Sequence, residues 1–216
     1  MKPCKIGIVD DHPVYIEGLR SYVTRFGGFE VVLTANDGSE LLEKLKEIQE
    51  PLLIIMDLSM KGMDGFEATR IVMQRYPETK ILALSNFGSA YDIIQFITAG
   101  GRGYLLKMED VDETRKALMN MQSQGFYFSK NVQKILGGSS ILGLTTEFKN
   151  ITMTPTENEY VQYACSDDSL KIIASKMSLS ESRVDDLRKQ VYHKLQVKSR
   201  QGLVIYALTK GLVRFH

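Results

Sequence analysis

The chain has no tryptophan and, among its 216 residues, only three histidines, two cysteines and five prolines. Cys4 and Cys165 lie far apart with no C-x-x-C spacing, which excludes a disulfide framework and, with so few histidines, a zinc site. Buried reduced thiols are expected instead. No apolar run approaches the length of a membrane span, and the opening MKPCKIGIVDD brings acids too early for a secretory signal. A cytoplasmic chain with no membrane contact is therefore expected. The net charge of +1 conceals an asymmetry: residues 1–150 carry 17 Lys/Arg against 19 Asp/Glu, whereas residues 151–216 carry 10 against 7. The basic excess makes the C-terminal end the candidate for a polyanionic partner.

What is present is a regular alternation. Five strand-like runs, CKIGIVD, EVVLTA, LLIIMD, KILALS and GYLLK, alternate with amphipathic stretches such as GSELLEKLKEI and FEATRIVMQRY. This pattern predicts an α/β fold, a doubly wound five-stranded parallel sheet with helices on both faces. From Gly125 to Met153 the periodicity breaks around Gly137, Gly138, Ser139 and Ser140, and residues 125–153 read as a linker between units 1–124 and 154–216. Thr154, Pro155 and Glu157 then spell a capping box, and Ser169, Ser180 and Ser199 are further N-caps. A four-helix, all-α C-terminal unit is expected.

Chemistry collects at the strand ends. Asp10 and Asp11 follow the first strand, Asp57 the third, Ser85 the fourth and Lys107 the fifth. In an open parallel sheet these ends share one crevice. Three carboxylates repel one another unless a cation sits among them, and oxygen ligands with room for water suit Mg2+. A lysine and a hydroxyl opposite would hold phosphoryl oxygens, so Asp57 reads as a nucleophile that becomes an aspartyl phosphate. Haloacid-dehalogenase-type phosphatases arrange similar groups, but they need an acid two residues after the nucleophile, where this chain has Ser59. Turnover of free phosphomonoesters is not expected.

The motifs VDDH, IIMDLSMKGMDGFE, ALS and GYLLK, in this order through residues 1–122, resemble the receiver domain of bacterial two-component response regulators. The resemblance implies that Asp57 takes phosphate from a histidine kinase, that Asp11 and Asp57 bind Mg2+ with the Ser59 carbonyl, and that Asp10 helps through water. It makes Ser85 and Tyr104 a switch pair and sets Lys107 on the phosphoryl group. Ser59 and Phe87 would tune the lifetime of the phosphate. Lys61 stands where receivers commonly have proline, and His12 is expected to cap or pack.

TPTENE, SLKIIASKM, LSESRV and KLQVKSR resemble the LuxR-type helix-turn-helix of the NarL/FixJ response regulators. The resemblance implies double-stranded DNA as partner, a homodimer when phosphorylated, and a recognition helix over about Ser180 to Leu195. Val184, Leu187, Val191 and Leu195 should face the core. Arg183, Arg188, Lys189, Lys194, Lys198 and Arg200 are the candidate DNA contacts. Asp185 and Asp186 have the wrong sign for a phosphate field. They either lie harmlessly in the early helix turns, or read a base, or mark a degenerate output unit that acts through a protein partner.

Overall fold

The computed structural model describes residues 3–138 and 151–212, except 26, 49, 51, 167 and 211. Six parallel strands, β1 (Cys4–Val9), β2 (Phe29–Ala35), β3 (Leu53–Met56), β4 (Lys80–Ser85), β5 (Gly103–Leu106) and β6 (Tyr127–Phe128), form one sheet in the order β2-β1-β3-β4-β5-β6. Helices α1 (Pro13–Arg25), α2 (Gly38–Leu45), α3 (Gly65–Arg75), α4 (Ala90–Thr98) and α5 (Val111–Gln124) connect them. All four residues of β3 are buried, as an apolar run covered on both faces requires. Short side chains set the helix starts: Asp37, Asp64, Ser89 and Asp110 each accept a backbone N–H from the first turn.

The expected five strands are all present, and a sixth joins them. Tyr127 and Phe128 pair with Gly103 and Tyr104, so β6 and the following α6 (Lys130–Gly138) belong to the sheet unit. The stretch read as linker from Gly125 is thus ordered through Gly138, and residues 139–150 lie outside the described residues. A two-residue strand has no period to detect. Its existence depends on the neighbour it pairs with.

The strand order reverses between β1 and β3, where β2 lies to one side and β4 to the other. Val9 is in register with Met56, and the Asp57 N–H donates to the Val9 carbonyl at 2.8 Å. The acids that follow both strands are therefore neighbours at the switch point of the sheet.

The C-terminal unit comprises α7 (Pro155–Ala164), α8 (Leu170–Lys176), α9 (Glu181–Leu195) and α10 (Arg200–Thr209). The Thr154/Glu157 capping box forms as read, with Pro155 inside it, and Ser169, Ser180 and Ser199 cap the next three helices. Val184, Leu187, Val191 and Leu195 are buried, which leaves the opposite face of α9 to solvent. Every residue of α10 from Leu203 to Leu208 is buried, because the helix packs on α7 and α9 of its own unit and also on α4 and α6 of the sheet unit. A helix apolar all round is one enclosed on all sides.

Candidate functional site

Asp57 and Asp10 are almost fully enclosed, at 3% and 2% exposure, and a single cation answers both. The Lys107 ammonium donates to Asp57 Oδ2 at 2.6 Å and to Asp10 Oδ2 at 2.8 Å. Its backbone N–H bonds the Ser85 carbonyl at 2.9 Å, which prolongs the β5–β4 ladder and aims the side chain across the crevice. Burial alone would lower the pKa of Lys107, but the bonds to Asp10 and Asp57 outweigh it and leave the ammonium firmly charged. Backbone donors hold the remaining oxygens: Ser59 N–H to Asp57 Oδ1 at 3.1 Å, His12 N–H to Asp10 Oδ1 at 2.9 Å, and Lys61 N–H to Asp11 Oδ2 at 3.3 Å. A proline at position 61 could not make the last of these.

The close turn after Asp57 needs glycine. A methyl group on Gly65 would lie 2.2 Å from the Asp57 carbonyl oxygen, nearer than real atoms approach. Candidate ligand atoms of Asp10, Asp11, His12 and Asp57 all fall within 4.8 Å of one another. Asp11 Oδ1 is shielded from solvent and accepts no hydrogen bond; the His12 ring nitrogen 2.9 Å away lies outside bonding geometry. An orphaned carboxylate oxygen beside two more acids fits a hard divalent cation that retains some of its water.

A second set of contacts runs from Ser85. Its hydroxyl accepts the Phe87 N–H at 3.0 Å, and the Phe87 carbonyl accepts the Tyr104 hydroxyl at 2.9 Å. The Tyr104 ring is fully buried, edge-on to Phe96 at 5.6 Å and 79°. Burial drives its hydroxyl well above the ordinary tyrosine range, against a hydrogen bond with Ser85 that acts the other way. The loop before α4 is thus tied to both Ser85 and Tyr104. Phe87 itself is 39% exposed beside this loop.

On the output unit, Arg183, Arg188, Lys189 and Lys198 are exposed on or just beyond α9. Asp185 is paired within its own helix, to Arg188 at 2.6 Å and Lys189 at 2.7 Å. The hydrogen bond from Lys189 leads the effects that hold its carboxyl below the usual range.

Comparison with known families matches residues 6–119 to the response regulator receiver domain and residues 152–207 to the bacterial regulatory proteins of the luxR family. The oxygen regulatory protein NreC of Staphylococcus aureus is 30% identical over 98% of this chain and 100% of its own. The chain belongs to the response regulators with a LuxR-type output domain. The transcriptional regulatory protein DegU of Brevibacillus brevis is 28% identical over 97% of this chain and 95% of its own. Among solved structures, the RcsB response regulator of Salmonella typhimurium superposes with a TM-score of 0.59 at 23% identity, covering 95% of this chain and 98% of that one. A structure of an RcsB–DNA complex gives a TM-score of 0.58 at 23% identity over 96% and 99%.

Within this response regulator, Asp10, Asp11, Asp57, Ser59 and Lys107 meet at one crevice, and Ser85, Phe87 and Tyr104 form the linked set beside it. Two of the six basic residues sit differently from the rest. The Arg200 guanidinium is turned inward, donating to the carbonyls of Ala164 at 2.8 Å, Asp168 at 2.9 Å and Ser166. There it answers the last carbonyl of α7, that of Ala164, together with two carbonyls of the segment that follows. Lys194 donates to the capping-box acid Glu157 at 2.7 Å. Sequence reasoning missed Tyr15, whose ring lies against Lys107, and it read His12 chiefly as a capping or packing residue. His12 does bond Asp10 through its backbone, while its ring joins the acidic cluster. The local signal for His12 was its place directly after two acids; Tyr15 carried no local signal.

Proposed function

We propose that this response regulator is phosphorylated on Asp57 by a histidine kinase and that the phosphate controls homodimerisation and binding of double-stranded DNA by α9. The observation that carries the reading is Lys107, which holds Asp57 and Asp10 together beside an acid with an orphaned oxygen. The Asp57 carboxylate attacks the phosphorus of a phosphohistidine; a P–O bond forms as the P–N bond breaks and its electron pair stays on the imidazole. Asp11 and Asp57, with the Ser59 carbonyl, would hold Mg2+, and Asp10 would act through water. The ion supplies positive charge for the phosphoryl oxygens. Lys107 keeps one contact with Asp10 and turns the other toward the phosphate. Ser85 gives up Phe87 for a phosphoryl oxygen, which frees the loop before α4.

Because α4 also packs on α10, that movement reaches the output unit directly. Arg183, Arg188, Lys189 and Lys198 then contact backbone phosphates, while Arg200 keeps α7 in place and Lys194 keeps Glu157. Neutralisation of Asp185 by its helix neighbours removes half of the charge objection to DNA. Apart from accepting phosphate from a donor and losing it by hydrolysis, no enzymatic activity is assigned. Ser59 lies where a phosphatase would need its acid.

The test is fluorescence anisotropy on duplex from the gene's own upstream region, with and without beryllofluoride, across a salt series. A steep salt slope and tighter binding with beryllofluoride are expected. Phosphate on Asp57 with no DNA binding in either state would point instead to a protein partner for the C-terminal unit, with Asp186 exposed on α9 to receive it.

A further inference from the structure

An ammonium group has three N–H bonds, and Lys107 gives two of its directions to Asp57 and Asp10. The third side is covered by an aromatic face: Nζ lies 4.6 Å from the ring centroid of Tyr15. Tyr15 and Lys107 together line a cavity of about 860 Å³ between α1 and the start of α5, with Leu84 and Val111 among its other walls. The ring is fixed from the same short segment that carries the acids. His12 N–H bonds Asp10, and Tyr15 N–H bonds the His12 carbonyl at 2.9 Å.

We propose that the face of Tyr15 is a positioning element for phosphoryl transfer, holding the Lys107 ammonium against Asp57 and away from the adjoining cavity. This rests on the reading of Asp57 as phospho-acceptor. The negative face of an aromatic ring attracts a cation within about 6 Å, more strongly where water is excluded, and the Lys107 side chain is only 12% exposed. A lysine without that face could turn its ammonium into the cavity and be solvated there. Held in place, it has only its Asp57 contact to hand over, so charge developing on the phosphoryl oxygens meets a cation already beside them. Burial raises the Tyr15 hydroxyl above its ordinary range, so the ring is a neutral phenol whose face, not its oxygen, does the holding.

The experiment compares the full-length wild type with Tyr15→Phe and Tyr15→Leu, using acetyl phosphate and Mg2+ so that kinase docking plays no part. Phosphorylation of Asp57 is followed by intact mass, affinity for beryllofluoride by titration, and folding by thermal melting. Tyr15→Phe keeps the ring face and should stay within about twofold of wild type, whereas Tyr15→Leu should be about fivefold slower and fivefold weaker at an unchanged melting temperature. Should the leucine variant melt early, pentafluorophenylalanine at position 15 preserves the shape while removing the negative face, and the same fivefold loss is expected. A leucine or fluorinated variant matching wild type overturns the proposal. So does a phenylalanine variant that falls as far as leucine, since the hydroxyl would then be responsible. A wild type that takes no phosphate on Asp57 overturns this inference together with the reading beneath it.

Discussion

Asp57 and Asp185 are both aspartates held by cations at 2.6–2.7 Å, yet one sits in an enclosed crevice and the other on an open helix. Lys107 comes to Asp57 from the end of a different strand, and backbone bonds anchor both residues. Arg188 and Lys189 come to Asp185 from the next turn of the same helix, in contact with solvent. The geometry is similar and the consequences differ. A buried pair cannot lose one partner without leaving charge that water does not reach, whereas an exposed pair exchanges one solvated arrangement for another. The crevice is therefore a constraint the fold must satisfy, and the pairing on α9 tunes the charge that the helix presents.

The comparison breaks hardest at Lys107. Lys107→Met leaves Asp10 and Asp57 without their shared cation and should destabilise the chain by about 3–5 kcal/mol in urea unfolding without divalent ions. Millimolar Mg2+ should recover much of this loss. Equal stability of variant and wild type in both buffers would show that the acids do not depend on the lysine.

Next is Gly65→Ala. Its methyl group would meet the Asp57 carbonyl, and a loss of about 2–3 kcal/mol is expected together with slower phosphorylation from acetyl phosphate. Normal stability with normal phosphorylation would mean that the turn can shift freely.

Glu157 stands between the two extremes, since it is buried but belongs to a helix end. Burial opposes its ionisation, yet the Lys194 and Thr154 bonds prevail and hold its carboxyl below the usual 4.5. A depressed carboxyl stabilises the fold above the unfolded-state value and loses that contribution as pH falls through the folded one. Glu157→Gln should cost about 1 kcal/mol at neutral pH and flatten the stability profile below pH 4.5. A variant with the wild-type profile would remove Glu157 from the acid response.

Asp185→Ala should have the smallest effect on stability, since it breaks a pair that water reaches on an open helix face. Its effect on the partner should be larger than its effect on the fold. With Arg188 and Lys189 released, duplex binding should tighten about threefold and the salt slope should steepen by about one phosphate contact. Weaker binding would mean that the carboxylate itself reads the DNA.

The legible parts of this molecule are those whose partners lie nearby in the chain or whose pattern repeats. Apolar runs predicted β1 to β5, and Thr154, Ser169, Ser180 and Ser199 predicted four helix starts. The pairing of Asp185 with residues three and four positions ahead was equally within reach. β6 was not, because two residues acquire strand geometry only by pairing with Gly103 and Tyr104. Arg200 reads as one more basic residue near α9 until the fold brings the Ala164 and Asp168 carbonyls to it. Tyr15 reads as a helix aromatic until β5 brings Lys107 alongside.

The sequence by itself determined β1 to β5, the strand ends that carry Asp10, Asp11, Asp57, Ser85 and Lys107, and the apolar seam of α9, since local propensity and periodicity act over a few residues. Only the tertiary structure decided which charges are answered and which surfaces are covered. Arg200 turns inward, Tyr15 faces Lys107, and α10 is enclosed between α7, α9, α4 and α6. Those outcomes depend on which distant groups arrive within a few ångströms, where hydrogen bonds form and water is excluded.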